Sequence, residues 1–302
     1  MKSLVNRLIA YLKLELKKKI KINSKFVGTR LKPYHYSVLA RHLSNYSASI
    51  QDENDIYYNT EKELIAHPIF PARISWQIIA QINQFLDNEI PETIFEHMVH
   101  QWEYLEIHRL PRADDELIIH GEFVALHPHK LGVRIVLKFD YFDSQNQLII
   151  SEFVGAILFA VKCSEKGNSS IPLPAIARIE ETVPLWVEKI PISKLASYIY
   201  DGCNDIVYPI HTDRKFVRVK GLPDIILQGT ATLAMSISLL IKKELDNDPR
   251  NVKVVSAKFT DIVVPPNQLS VRLLKRNGNQ IYFDVSEKTG KFVIKGGYLK
   301  IK

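Results

Sequence analysis

Two segments carry the residue types that could do chemistry. Asp205 and His211 stand six positions apart in Asp205-Ile206-Val207-Tyr208-Pro209-Ile210-His211-Thr212-Asp213, across a proline that argues against regular helix. Further on, the apolar run Gly221 to Leu227 ends in Gln228-Gly229-Thr230 and opens into a long apolar stretch of helical character. A carboxylate and an imidazole beside a helix N-terminus suit a reaction at a carbonyl that becomes an oxyanion. The side chains exchange protons, and free backbone N–H groups hold the negative charge. The imidazole of His211, with an ordinary pKa of about 6.5, can take a proton from water at neutral pH. Asp205 can hold the same water and act as the acid if an apolar site raises its pKa. The Gly229 N–H is the natural oxyanion donor, because glycine admits close approach and the helix dipole adds positive potential. Thr230 could serve as N-cap or as a neighbouring donor.

Plainer readings stand beside these. Asp205 and His211 could be two polar loop residues capping backbone groups, and Asp213 reads as a cap for the chain that follows. Cys203 lies near Asp205, but nothing else supports covalent catalysis. His127-Pro128-His129 has a metal-like spacing, yet it falls between two strand-like runs without a nearby Cys or acidic cluster, so a solvated hairpin is the expectation. No metal or cofactor is expected.

The elements that must position these residues are written twice along the chain. Ser75 to Leu86 has helical spacing, and strand-like runs follow at Glu116–Leu126, Gly132–Phe142 and Gln147–Lys162. The second half repeats the order. Thr230 to Leu245 is apolar nearly all round, and strands are expected over Val252–Val264, Gln268–Lys275, Gln280–Ser286 and Lys291–Ile301. Asn277-Gly278 and Thr289-Gly290 sit where hairpin turns are needed. A helix followed by a meander of strands, twice, predicts an α+β fold with antiparallel sheets. Four units are expected: residues 1–29, a first domain 30–164, a linker 165–185 and a second domain 186–302.

At 302 residues the chain can bury one large core or two domains. Its net charge of +7 sits in Met1 to Lys25, which holds eight basic residues against Glu15 alone. The remainder balances, which argues against a nucleic-acid partner. The tail reads as a basic amphipathic helix, with its apolar stripe packed on its own domain or a partner subunit; weak contact with an anionic membrane or an acidic carrier protein is the alternative. Its apolar runs are too short for a membrane span or a secretion signal. Two distant cysteines, Cys163 and Cys203, make no disulfide framework, so the cytoplasm is the expected compartment.

Pro209-Ile210-His211-Thr212 and the Leu227-Gln228-Gly229 segment resemble the motifs of MaoC-like dehydratases, the family that includes the R-specific enoyl-CoA hydratases. The similarity spans roughly Arg30 to Ile301 and is strongest from Tyr200 to Leu240. It implies two fused hot-dog domains, each an antiparallel sheet wrapped around a central helix, with His211 and Asp205 as the catalytic pair. Asp205 lies one residue further from the histidine than in the commonest form of the motif. Tyr208 stands in place of the motif's asparagine and Gln228 in place of a histidine; both join Gly229 and Thr230 as expected substrate-binding residues. In the first half, Asp52-Glu53-Asn54-Asp55-Ile56-Tyr57 is a degraded echo with Tyr57 where the imidazole would be. That half is expected to line an acyl tunnel with Phe70, Trp76 and Ile79. The implied activity is hydration of a 2-enoyl thioester, carried on CoA or acyl carrier protein, and its reversal; a homodimer is a further expectation. A non-catalytic acyl-thioester-binding protein and a hot-dog thioesterase are the competing readings.

Overall fold

A helix that is apolar on nearly every side has to be enclosed, and here a sheet encloses it. The computed structural model describes residues 21–302 apart from 88–93, 96, 97, 160, 164, 165, 178, 180 and 181. The ten principal strands are β1 (Tyr34–Ser37), β2 (Met98–Ile107), β3 (Glu116–His129), β4 (Gly132–Phe142), β5 (Leu148–Phe159), β6 (Trp186–Ile192), β7 (Val252–Phe259), β8 (Asn267–Asn277), β9 (Gln280–Glu287) and β10 (Phe292–Ile301). The helices are α1 (Ala40–Ser49), α2 (Pro71–Ala80), α3 (Ala196–Asn204), α4 (Pro209–Thr212), α5 (Arg214–Val219) and α6 (Gly229–Glu244).

The principal strands join one antiparallel sheet in the order β1-β3-β4-β5-β2-β7-β10-β9-β8-β6. Read outward from the centre, the first half runs β2-β5-β4-β3-β1 and the second runs β7-β10-β9-β8-β6, which is the same topology twice. The repeat expected from the sequence is therefore a structural repeat, and each half is a hot-dog unit. The halves meet where β2 pairs antiparallel with β7, from Trp102 opposite Lys258 to Glu106 opposite Val254.

Period-two burial drives β4, where Val133, Ile135, Leu137, Phe139 and Tyr141 all point into the core. β5 is buried on both faces after Leu148, as a central strand covered on both sides must be. The β8–β9 and β9–β10 turns carry Gly278 and Gly290 with φ of +56° and +82°, conformations that glycine adopts without a Cβ penalty.

Seven elements have no counterpart in the sequence expectation: the strands β1, β2 and β6 and the helices α1, α3, α4 and α5. The first central helix runs Pro71–Ala80 rather than Ser75–Leu86, because Pro71 fits the first helical turn and Ile82–Phe85 tightens into a 3-10 turn. The helical tail over Met1–Lys25 lies outside the described residues as far as Ile20. From Lys21 on it is not α-helical: Lys21–Ile22 pairs with Lys162–Cys163, and Ser24–Phe26 is a 3-10 turn capped by Asn23. Parts of the expected linker lie against the sheet, since Asn168 and Ser169 pair with Leu126 and Ala125. The Ser170 hydroxyl also donates to Glu122 Oε1 at 3.1 Å.

Candidate active site

The N-terminus of α6 points at a cavity of about 470 Å³. Ten residues of α6 are buried, from Thr230 to Ile241, so packing holds its first turn in place. Gln228 is the N-cap, yet its side chain makes no capping hydrogen bond, and the first-turn N–H groups have no side-chain acceptor. Glycine at 229 matters sterically: a Cβ there would stand 3.1 Å from the Phe259 ring. Lys242 and Lys243 complement the opposite end of the helix dipole.

His211 borders this cavity from α4. Pro209 does not prevent helix here; it opens the single turn of α4, where a missing N–H costs nothing. The imidazole Nδ1 lies 2.8 Å from the carbonyl oxygen of Ile226, so Nδ1 must donate and Nε2 keeps its lone pair. Burial pushes the pKa of His211 down to about 4, against a smaller upward effect of the Ile226 carbonyl. At neutral pH it is an uncharged base in one fixed tautomer.

Asp205 does not join it. It ends α3 in the left-handed conformation, with φ of +52°, and its Oδ2 accepts from Arg73 Nη2 at 2.7 Å. That turn carries the carboxylate out to the surface, where its side chain is 70% exposed. The residue five positions before His211 is Ile206, and it is Ile206 that lines the cavity. The structure therefore does not bring Asp205 to the cavity that His211 borders. Asp213, by contrast, caps α5 by accepting from the N–H groups of Lys215 and Phe216.

Of the remaining expected site residues, Tyr208, Gln228, Gly229, Thr230 and Trp76 line the cavity. Tyr208 packs edge-on against Trp76 with ring centroids 5.6 Å apart. Thr230 is not a cap: its hydroxyl accepts from Tyr200 at 3.1 Å, inside the core. Gln228 Oε1 is buried without a partner. Phe70 and Ile79 do not reach the cavity. Phe70 packs among Tyr36 and Tyr46, and Ile79 is core, so Trp76 alone of the three forms part of the wall. Tyr57, in the degraded echo, is fully buried with its hydroxyl unpartnered.

The sequence reading missed His100, because β2 itself was missed. His100 lines the cavity between Trp76 and Phe259, at centroid distances of 5.1 and 4.6 Å. It also missed the cations of the wall: Lys130, Arg134 and Lys258. After burial, all three help to depress the pKa of neighbouring His129, which places their charges together. His127 lies in the β3–β4 hairpin and meets the Ser169 hydroxyl at 2.8 Å.

Comparison with known proteins gives the family and the fold. Residues 179–296 match the MaoC like domain. The chain is 32% identical over 263 residues to a protein of Arabidopsis thaliana named enoyl-CoA hydratase 2, peroxisomal, covering 82% of this chain and 81% of that one. The chain belongs to the MaoC-like dehydratase family. Within that family it is also 23% identical over 262 residues to the peroxisomal multifunctional enzyme type 2 of Drosophila melanogaster, covering 84% of this chain. The chain spans 43% of that longer protein's length. A crystal structure of a MaoC-like dehydratase from Phytophthora capsici superposes with a TM-score of 0.82 at 16% identity, covering 93% of this chain and 99% of the other, which shows the shared fold. As a family member with both hot-dog halves in place, the chain has the fold in which His211 and Gly229 were expected to meet. No helix among the described residues is long and apolar enough to cross a membrane.

Proposed function

We propose that the protein is an R-specific 2-enoyl-thioester hydratase, equally a 3-hydroxyacyl-thioester dehydratase. One observation carries this reading. His211 presents the unprotonated Nε2 of a fixed tautomer to the same cavity that receives the uncapped N-terminus of α6. In hydration, Nε2 takes a proton from water as the water oxygen bonds to C3. The π electrons move toward the thioester oxygen, and the Gly229 N–H, aided by the helix dipole, holds the resulting enolate. Collapse of the enolate takes a proton at C2, supplied from the imidazolium, which returns His211 to neutral. Dehydration is the reverse. A base held near pKa 4 is weak toward free water, but a bound enolate and imidazolium stabilise each other in a site shielded from solvent.

The substrate carrier is CoA on this reading. Lys130, Arg134 and Lys258 line one cavity with the catalytic groups, where they can meet the phosphates of a nucleotide carrier. Trp76, Met98, Ile157 and Phe159 supply apolar wall for the acyl chain. Cys163 and Cys203 form no disulfide, which fits a reducing compartment, proposed as the cytoplasm. The experiment is addition of crotonyl-CoA to purified protein. Loss of enoyl absorbance without thiol release is expected; release of free CoA thiol would favour a thioesterase, and neither change would leave a binding protein.

A further inference from the structure

Water attacking C3 must have its lone pair aimed at carbon, which is achieved when both of its hydrogens are held by acceptors. His211 Nε2 holds one. Asp205 cannot hold the other, because Arg73 and the left-handed turn keep it at the surface. Gln228 Oε1 is buried in protein rather than facing open space, and Ile206 offers nothing polar. Asp261, at the wall, turns Oδ1 to the N–H of Ile262.

His100 remains. Its Nε2 lies 3.0 Å from the carbonyl oxygen of Trp102, which can only accept, so the proton sits on Nε2 and Nδ1 keeps a lone pair. No protein group among the described residues bonds to Nδ1. The ring cannot swing freely, being wedged between Trp76 and Phe259. Phe259 is also the ring that packs on Gly229, so one side chain touches both His100 and the oxyanion donor. Behind the imidazole lies Glu103, whose Oε2 is 3.0 Å from Nε2, and then Glu152, which accepts from Ser75 at 2.8 Å and from Tyr141. Both carboxyls are fully buried and held well above their ordinary pKa by that burial. A protonated carboxyl there leaves His100 uncharged and its tautomer unchanged.

We propose that His100 is a second catalytic histidine, whose Nδ1 accepts one hydrogen of the water that His211 activates. This rests on the hydratase reading above. No bond is made or broken at His100: it orients the water while His211 takes the proton. Both functional imidazoles then come from different halves of the repeat, His100 from β2 and His211 from α4, so the first half is not merely a wall.

Asparagine at 100 places its Oδ1 near the position of Nδ1, glutamine reaches instead toward the position of Nε2, and phenylalanine keeps only the ring. His100→Phe should lower kcat for crotonyl-CoA by about tenfold to a hundredfold, the scale of one well-placed hydrogen bond, with KM within about threefold. His100→Asn should recover most of that loss and His100→Gln should not. Circular dichroism confirms folding; if His100→Phe does not fold, the asparagine–glutamine comparison decides. Unchanged kcat in His100→Phe, or asparagine no better than glutamine, overturns the role of Nδ1. Wild-type protein that hydrates nothing sinks the hydratase reading itself. A wild type that is active, loses activity in His211→Ala and keeps it in His100→Phe sinks this inference alone.

Discussion

Replacing Asp205 separates two accounts of the site, because the sequence motif makes it catalytic and the fold makes it structural. Its partner Arg73 is buried, with a side chain only 3% exposed, while Asp205 itself is 70% exposed. Breaking a fully buried pair costs about 3–5 kcal/mol and breaking an exposed one about 0–1. With one partner in water, the loss should fall between, at about 1–2 kcal/mol. Asparagine tolerates the left-handed backbone at φ +52° and keeps an acceptor for Arg73, so Asp205→Asn should sit at the low end. Alanine tolerates that conformation poorly, by about a further 1 kcal/mol. For a chain of this size each kcal/mol moves the melting temperature by about 2 °C. Two measurements decide: a thermal melt, and the loss of enoyl absorbance with crotonyl-CoA. Asp205→Asn should melt a few degrees lower at most and keep kcat within about threefold, since no group at the reacting atoms has changed. A loss of more than about a hundredfold with an unchanged melt would refute the assignment and return Asp205 to the catalytic pair.

Two further outcomes are expected. Gly229→Ala puts a Cβ 3.1 Å from the Phe259 ring and disturbs the oxyanion donor, so kcat should fall by about tenfold or more while the fold is kept; steady-state kinetics at full activity would contradict this. Glu103 is held above its ordinary pKa by burial, so the folded state keeps a proton that the unfolded chain releases. The stability it contributes is therefore present below about pH 4.5 and declines as pH rises toward its folded pKa. Denaturant titrations of Glu103→Gln should show stability gained relative to wild type at pH 8 but not at pH 4; equal differences at both would contradict a protonated Glu103.

Much of the fold was legible in the sequence because its signals were local. The central helix expected over Thr230–Leu245 is Gly229–Glu244, and β4 matches over its whole length. The hairpins at Gly278 and Gly290 follow from turn chemistry alone. β2 was illegible for a physical reason: Glu103 is a fully buried carboxyl on a central strand, so an ionisable residue type stands at a core position and breaks the expected alternation. β6 was hidden by Pro191, which an edge strand accepts and a central one does not. At the site, the sequence pointed to His211 and Gly229, which the structure brings to one cavity, whereas the aim of Asp205 was not legible. One residue in the left-handed region, set by where α3 ends, turns the chain so that Ile206 rather than Asp205 meets the cavity. Arg73, its partner, comes from the other half of the molecule, and no local pattern could reveal that pairing.

The central claim is that His211, as a neutral base facing the α6 N-terminus, adds water across a 2-enoyl thioester. The direct measurement is turnover of trans-2-enoyl-CoA by wild type and by His211→Ala, with chiral analysis of the product. Wild type should yield the 3R-hydroxyacyl-CoA, and His211→Ala should lose more than about a hundredfold in kcat while remaining folded. A 3S product, release of CoA thiol in place of hydration, or a folded His211→Ala that turns over as fast as wild type would contradict the account.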